Sequence, residues 1–418
     1  MKILDNPNYM ILKDGEDYIF YNSNRHFACR ISELDLSIFN LIYLYESFEK
    51  VVQTIPAKYH KYIKNVYDAV VNNQILSEKP ILNYNDIERL PPHSYYLHLT
   101  YKCNLDCIYC YNKKVRNNFS ELSIEKWKIM LDKILPYTKK IIITGGEPFL
   151  TDLLPKVIRY IREYGNSIHI EIISNCMTDF EHYQYREDVF NQINSVIFSC
   201  DNLTGEGQQR VNFKPALFKH NIQFLKEKYS KLNITISSVH SSGNCCELEY
   251  IRDFCSNKVV NFRSVLIVPN STEDISLLPS IEDFISTLPS VPKNLEELRF
   301  YCGAGVGLFS IDPAGNVFPC QSLHIEDYKM GNILHDSIED ILKNNISEAL
   351  RTGFCVDNIP TCKECNVKYI CAAGCRAATL NTEQSPTAFP HTLCEYYKAK
   401  AHNSLRSIPQ LTTINLYQ

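Results

Sequence analysis

Hydrophobic and polar positions change their period three times along the chain. Near the amino end, residues 9–12, 18–21 and 26–31 alternate, with Lys13-Asp14-Gly15 and Asn22-Ser23-Asn24 as turns between them. The spacing then becomes helical. Leu36, Phe39, Ile42 and Tyr43 recur behind Ser32, with Glu33 just inside the start, and Ile63, Val66, Tyr67, Val70 and Val71 make a second face. A three-stranded sheet followed by helices is predicted, up to the break at Pro91-Pro92. The middle region alternates instead. Strands are predicted at 95–100, 140–144, 169–174, 195–199, 234–239 and 262–268. Between them run amphipathic segments such as Trp127, Met130, Leu131, Ile134, Leu135 and later Leu217, Phe218, Ile222, Leu225. Such alternation implies an α/β fold with a parallel sheet and right-handed crossovers. Six units predict a partial (β/α)6 TIM-like barrel, with chemistry at the C-terminal strand ends. The last region lacks long apolar elements and shows a hairpin signal at Asp312-Pro313-Ala314-Gly315-Asn316. It is expected to need metal staples. The expected domains are 1–92, 93–295 and 296–418.

Composition narrows the class. The 418 residues are 45% hydrophobic and 22% charged, which is ordinary for a globular chain of several domains. With 43 Lys+Arg against 47 Asp+Glu, the net charge of −4 offers no footprint for nucleic acid and no polybasic membrane patch. Asp5, Lys13, Asp14, Glu16 and Asp17 break up any signal-peptide core, and no apolar run reaches a membrane span. A cytoplasmic protein is expected. Its 17 cysteines are an odd number in a chain without a secretory signal, so clustered thiols point to metal or cluster ligation rather than disulfides.

The first cluster is Cys103-Asn-Leu-Asp-Cys107-Ile-Tyr-Cys110, directly after the strand predicted to end at Thr100. Three thiolates can wrap a [4Fe–4S] cubane and leave one iron open for a substrate or cofactor. A zinc knuckle would want a fourth nearby ligand, for which His98 is the one candidate. Thr144-Gly145-Gly146-Glu147-Pro148 ends the second strand, where the glycines would let backbone approach a ligand closely. Ser174-Asn175-Cys176 ends the third, and Ser199 and Asp201 end the fourth, ahead of Arg210. Each of these polar residues has an alternative reading as a partner for strand-end backbone groups.

CxxxCxxC with Tyr109 before its last cysteine, followed one strand later by GGEP, resembles the radical S-adenosylmethionine (SAM) enzymes. The resemblance implies that Cys103, Cys107 and Cys110 hold the catalytic cluster. It further implies that Tyr109, Gly145, Gly146, Glu147, Ser174, Asn175, Ser199, Asp201 and Arg210 surround SAM, the GGEP segment holding its amino group. Two positions depart from the family pattern: Cys176 stands where relatives often have Gly in Thr-Asn-Gly, and Asn202 replaces a Gly.

The second constellation comprises Cys302-Gly-Ala-Gly, Gly315 with four residues between it and Cys320, Cys362-x2-Cys365-x5-Cys371-x3-Cys375, and Cys394, with Gly331-Asn332-Ile333 between. Thiolates alone also suit a double zinc site. The spacing resembles the SPASM domain, which carries auxiliary [4Fe–4S] clusters. That resemblance assigns Cys362, Cys365, Cys371 and Cys394 to a distal cluster, and Cys302, Cys320 and Cys375 to a proximal cluster one ligand short. Cys355 or a substrate thiolate could fill the gap, the open site being the expectation; alternatively Cys355 is a small buried residue and water or a non-Cys side chain takes the fourth position. Cys29, Cys176, Cys200, Cys245, Cys246 and Cys255 are expected to be mostly small buried hydrophobes.

The order of strands and helices in 1–92 resembles the winged-helix-like RiPP recognition element, which takes the leader of a ribosomally made precursor peptide as an extra strand. A capping domain and a nucleic-acid-binding winged helix are the alternatives. Ten basic against twelve acidic residues disfavour the latter. Together the resemblances imply a radical SAM peptide maturase that cleaves SAM to a 5′-deoxyadenosyl radical. It would take hydrogen from a precursor peptide to install a thioether or other side-chain crosslink. Its cofactors would be SAM and three [4Fe–4S] clusters, its partners the precursor and a flavodoxin- or ferredoxin-type electron donor. Oxidation of Ser or Cys on a protein substrate, as in sulfatase maturases, and a catalytically silent cluster- or peptide-binding partner are the alternative expectations.

Overall fold

The computed structural model describes residues 3–80, 91–113, 115–116, 121–205, 209–288 and 299–406. The boundary expected near 295 lies outside these residues, and the one near 92 borders the undescribed 81–90.

The first unit is an antiparallel meander of β1 (Tyr9–Asp14), β2 (Asp17–Asn22) and β3 (Phe27–Ile31), paired in that order. Side-chain alternation gives it two apolar faces. Phe20, Cys29 and Ile31 pack on the helices Glu33–Tyr45 and His60–Asn72 through Phe39, Ile63 and Val66. Met10, Ile19, Tyr21 and Ala28 go the other way, onto Val367, Ala401 and Leu405 from the far end of the chain. The first helix starts where Ser32 indicated. The Ser32 hydroxyl accepts from the Asp35 N–H at 3.1 Å, and Asp35 returns the bond to the Ser32 amide, also at 3.1 Å. Such reciprocal capping stabilises a helix start by about 1 kcal/mol.

Next come β4 (Ser94–Thr100), the two-residue β5 (Asp106–Cys107), β6 (Lys140–Gly145), β7 (His169–Ser174), β8 (Ser195–Ser199), the two-residue β9 (Arg210–Val211), β10 (Asn233–His240) and β11 (Asn261–Leu266). The order β11-β10-β8-β7-β6-β4 is parallel throughout, so the expected six-unit partial barrel forms. Tyr95, Leu97 and Leu99 of β4 enter the core shared with the outer helices. Helix Ile124–Ile134 seals that layer with Trp127, Met130, Leu131 and Ile134, all fully buried. Burying an aliphatic side chain of this size contributes about 1.5–3 kcal/mol. Tyr96, His98 and Thr100 alternate onto the opposite, inward face of the strand.

The third unit does not stand apart. Its hairpin strands, β12 (Leu308–Ile311) and β13 (Asn316–Phe318), and the short β14 (Gly331–Asn332) extend the barrel sheet, because β12 pairs in parallel with β4. The hairpin turn follows the sequence signal. Asp312 Oδ1 accepts from the Ala314 and Asn316 amides at 2.9 and 2.8 Å, and Gly315 supplies a φ of 84°. Among the described residues, no helix is long and apolar enough to cross a membrane.

Candidate iron–sulfur and cofactor site

The cysteine loop leaves the C-terminal end of β4 and is anchored at two points. First, β5 pairs antiparallel with β9, placing Cys107 opposite Arg210, and the Ile108 amide donates to Gln209 O at 3.0 Å. Second, the 145–147 segment lies against the start of the loop. The amides of Gly146 and Glu147 donate to Thr100 O and Lys102 O, both at 2.8 Å. A Cβ at Gly145 would overlap Thr100 O, and one at Gly146 would overlap the carbonyls of Tyr101 and Lys102. Whatever these glycines do for a ligand, the backbone of the cysteine loop already requires them.

Several of the predicted cofactor residues are brought together here. Glu147 is fully buried. Its Oε1 accepts from Phe149 N at 3.2 Å and Ser174 Oγ at 2.9 Å, and its Oε2 from Asn175 N at 2.8 Å. Burial raises its carboxyl to about 7, against these hydrogen bonds. Cys176 follows with φ 63°, so the chain keeps a left-handed backbone where the family pattern has Gly. Asp201 and Arg210 form a buried ion pair at 2.9 Å, with side chains 1% and 12% exposed. Asp201 also accepts from the Tyr109 hydroxyl and from Val239 N at 2.8 Å. The Arg210 guanidinium lies 5.5 Å from the Tyr109 ring centre. Tyr109, Asp201 and Arg210 thus lock the loop to β8 and β9. Ser199 is half-buried at the end of β8, in register with Ser237.

Each thiol of the loop has a side-chain N–H beside it, from Asn175 to Cys103, Arg210 to Cys107 and Arg116 to Cys110. Arg116 was invisible to motif reasoning, since it lies outside any patterned segment. His98, the candidate fourth ligand of a zinc knuckle, instead lies beside His324 with ring centres 4.4 Å apart, fully buried.

The C-terminal cysteines sort into two sets. Cys302, Cys320 and Cys375 line one cavity of about 380 Å3. Cys362, Cys365 and Cys394 line a second of about 380 Å3, and Cys371 reaches both. Electrostatics sorts them the same way. Burial and then Cys375 and Cys302 push the Cys320 thiol up, whereas burial and then Cys365, Cys362 and Cys394 push Cys371 up to about 12. Between Cys371 and Cys375 run Ala372, Ala373 and Gly374, all left-handed with φ of 51°, 54° and 68°; Ala373 lines the second cavity and Gly374 the first. A Cβ at Gly374 would enter the Tyr397 ring. Cys355 lies in neither set. It is buried among Phe300, Ile359 and Tyr369. His26 of the first unit and Tyr96 of β4 complete the wall of the first cavity, which the sequence did not indicate.

These donor sets fit iron–sulfur clusters. They are free thiols that share cavities or act on one another electrostatically, beside cations and N–H groups suited to anionic sulfur. Among the described residues, no three His, Cys, Asp or Glu gather tightly enough for a single metal ion. Of the remaining cysteines, Cys29, Cys176, Cys200 and Cys255 are buried as expected, but Cys245 is partly exposed and Cys246 exposed. Those two open the helix Cys245–Lys258 at the C-terminal end of β10, beyond the packed layer.

Comparison with known proteins agrees with this geometry. Residues 97–239 match the radical SAM superfamily and residues 302–366 the SPASM iron–sulfur cluster-binding domain. The sporulation killing factor maturation protein SkfB of Bacillus subtilis is 25% identical over 297 residues, 64% of this chain and 68% of its own. The antilisterial bacteriocin subtilosin biosynthesis protein AlbA of the same organism is 23% identical over 273 residues, 60% of each chain. Streptococcus suis SuiB, solved with its precursor peptide SuiA, superposes with a TM-score of 0.57 at 15% identity, covering 92% of this chain and 98% of SuiB. The AdoMet-bound anSMEcpe gives 0.59 at 16%, covering 75% and 97%. At such identities the structural likeness speaks to the fold.

Proposed function

The chain joins a radical SAM domain to a SPASM domain, and on that premise we propose that it matures a ribosomally made precursor peptide. The observation that carries the reading is that the loop thiols Cys103, Cys107 and Cys110 act on one another, apart from the C-terminal cysteines, which line two further cavities that share Cys371. Cys103, Cys107 and Cys110 would hold the first [4Fe–4S] cluster. Cys302, Cys320 and Cys375 would hold the second, with one position left to the substrate. Cys362, Cys365, Cys371 and Cys394 would hold the third. With SAM bound, the first cluster would supply the electron that splits SAM into methionine and a 5′-deoxyadenosyl radical able to take a hydrogen atom from the peptide.

The chain's own residues orient this chemistry. Tyr109, Asp201 and Arg210 hold the cysteine loop, while Glu147 with Ser174 and Asn175 fixes the strand ends where SAM would lie. Ser199 stands on the same rim. Tyr96 points from β4 toward the first auxiliary cavity, so the barrel interior opens onto it. An electron leaving the modified peptide would then have a cluster close by, and a flavodoxin- or ferredoxin-type protein would supply the electron that starts the cycle.

The N-terminal unit supports a peptide substrate. The outer edge of β3 pairs with no strand among the described residues, and helix His60–Asn72 packs behind the sheet. A leader would add there as a further strand. The names of SkfB and AlbA, and the SuiA peptide held by SuiB, point the same way. The product would be a thioether or another side-chain crosslink.

The test is anaerobic incubation of the reconstituted full chain with SAM, dithionite and peptides encoded by short reading frames beside its gene. Mass spectrometry should show 5′-deoxyadenosine and a peptide lighter by two hydrogen atoms. The same peptide without its leader should bind more weakly. Equal binding of both peptides would assign the N-terminal unit to scaffolding, and stoichiometric zinc in place of iron would sink the whole reading.

A further inference from the structure

The three loop thiols are not equally served. Asn175 Nδ2 lies 3.7 Å from Cys103 Sγ, Arg210 Nη1 3.7 Å from Cys107 Sγ, and Arg116 Nη2 only 2.9 Å from Cys110 Sγ. Asn175 is neutral. The charge of Arg210 is cancelled at 2.9 Å by Asp201, a carboxylate buried with it. Among the described residues, Arg116 has no buried counter-ion of that kind. Its nearest carboxylate, Asp106 Oδ1, is 3.7 Å away, 54% exposed, and shared with Lys113 at 3.5 Å. Water and salt screen a pair of that kind.

Arg116 is itself firmly placed. Nη1 donates to Leu105 O at 2.7 Å within the cysteine loop, and the side chain is only 16% exposed. Its Nε is buried with no hydrogen-bond partner among the described residues. Among the described residues, one N–H of this guanidinium therefore has no protein partner. A cluster carried by the neighbouring thiolates offers acceptor sulfurs.

Resting on the reading of this loop as a cluster site, we propose that Arg116 is a positioning residue that sets the reduction potential of the Cys103–Cys107–Cys110 cluster. One-electron reduction adds one negative charge, spread over the iron and its sulfurs. A cation donating to a ligand sulfur stabilises the reduced state more than the oxidised one and so raises the potential. The electron comes from the external donor, and no bond is made or broken at Arg116. The effect has two sides. A higher potential eases loading of the electron but lowers the drive for passing it on to SAM.

The test compares the full-length protein with Arg116→Gln, which keeps N–H donors but loses the charge, and Arg116→Lys, which keeps the charge but loses the fork. Iron content is measured first. The EPR signal that changes on adding SAM, which reports this cluster alone, is then titrated against ambient potential. Arg116→Gln should retain its iron, with the reduced-to-oxidised ratio at fixed potential about tenfold lower, close to 59 mV. Arg116→Lys should return most of that loss. An unchanged midpoint in an iron-replete Gln variant would overturn the proposal, as would loss of this cluster's iron in both variants, which would make Arg116 a brace for the loop. Should only Gln lose the iron, a Lys midpoint near that of the parent supports the proposal and a distant one overturns it. Absence of any SAM-sensitive signal in the unmutated protein would instead fault the cluster reading itself.

Discussion

Glu147 and Asn175 sit at the ends of adjacent parallel strands, and the Asn175 amide donates to Glu147 Oε2 at 2.8 Å inside a fully buried pocket. Burial outweighs this bond and those from Phe149 and Ser174, so the carboxyl titrates at about 7 rather than 4.5. Between those values the folded chain holds a proton that the unfolded chain has released. The stability that neutral Glu147 contributes is full below the unfolded value and lost as pH rises through the folded one. The swing is on the order of 3 kcal/mol. Denaturant unfolding from about pH 4.5 to 8 should show this loss, and Glu147→Gln should flatten it. An identical slope in the variant would remove Glu147 as its source.

Replacing Cys103, Cys107 and Cys110 with Ala should lower iron from about twelve to about eight per chain. SAM cleavage should vanish while the auxiliary signals persist. Loss of all iron would mean that the three sets do not assemble independently.

Gly146→Ala tests the contact between the GGEP segment and the cysteine loop. The new Cβ would overlap the carbonyls of Tyr101 and Lys102, which are backbone and cannot swing aside. The loop must move, so about a third of the iron should be lost, with the SAM-sensitive EPR signal. A variant with full iron and normal SAM cleavage would show that the contact is slack.

Cys355→Ala should keep all its iron, because Cys355 is packed among Phe300, Ile359 and Tyr369 and lines neither cysteine cavity. A small loss of stability, about 1 kcal/mol, is the expected cost of the missing sulfur. Disappearance of one cluster's iron would make Cys355 a ligand after all.

Legibility followed the range of the interactions. The strands of the barrel, the Ser32 cap and the Asp312 turn could be read from sequence, because period, capping and turn chemistry act over a few residues. The cysteine motifs could be read for a related reason, since ligand spacing within one loop is local. For the glycines of the GGEP segment the motif carries no sign of their contact with the cysteine loop. Their close neighbour is Thr100–Lys102 of another strand end.

What the sequence by itself determined is the succession of a three-stranded unit, a six-strand parallel barrel and a cysteine-rich end, with the thiols available to each. Only the tertiary structure decided three further matters. The C-terminal hairpin continues the barrel sheet through β12 and β4. Cys371 reaches both auxiliary cavities while Cys355 reaches neither. Arg116, whose carboxylate partner among the described residues is the exposed Asp106, rather than the buried Arg210–Asp201 pair, brings the less compensated charge to the cysteine loop. All three depend on residues far apart in the chain or on which carboxylate lies nearest a cation. Local period and spacing fix neither; the packing of one element on another does.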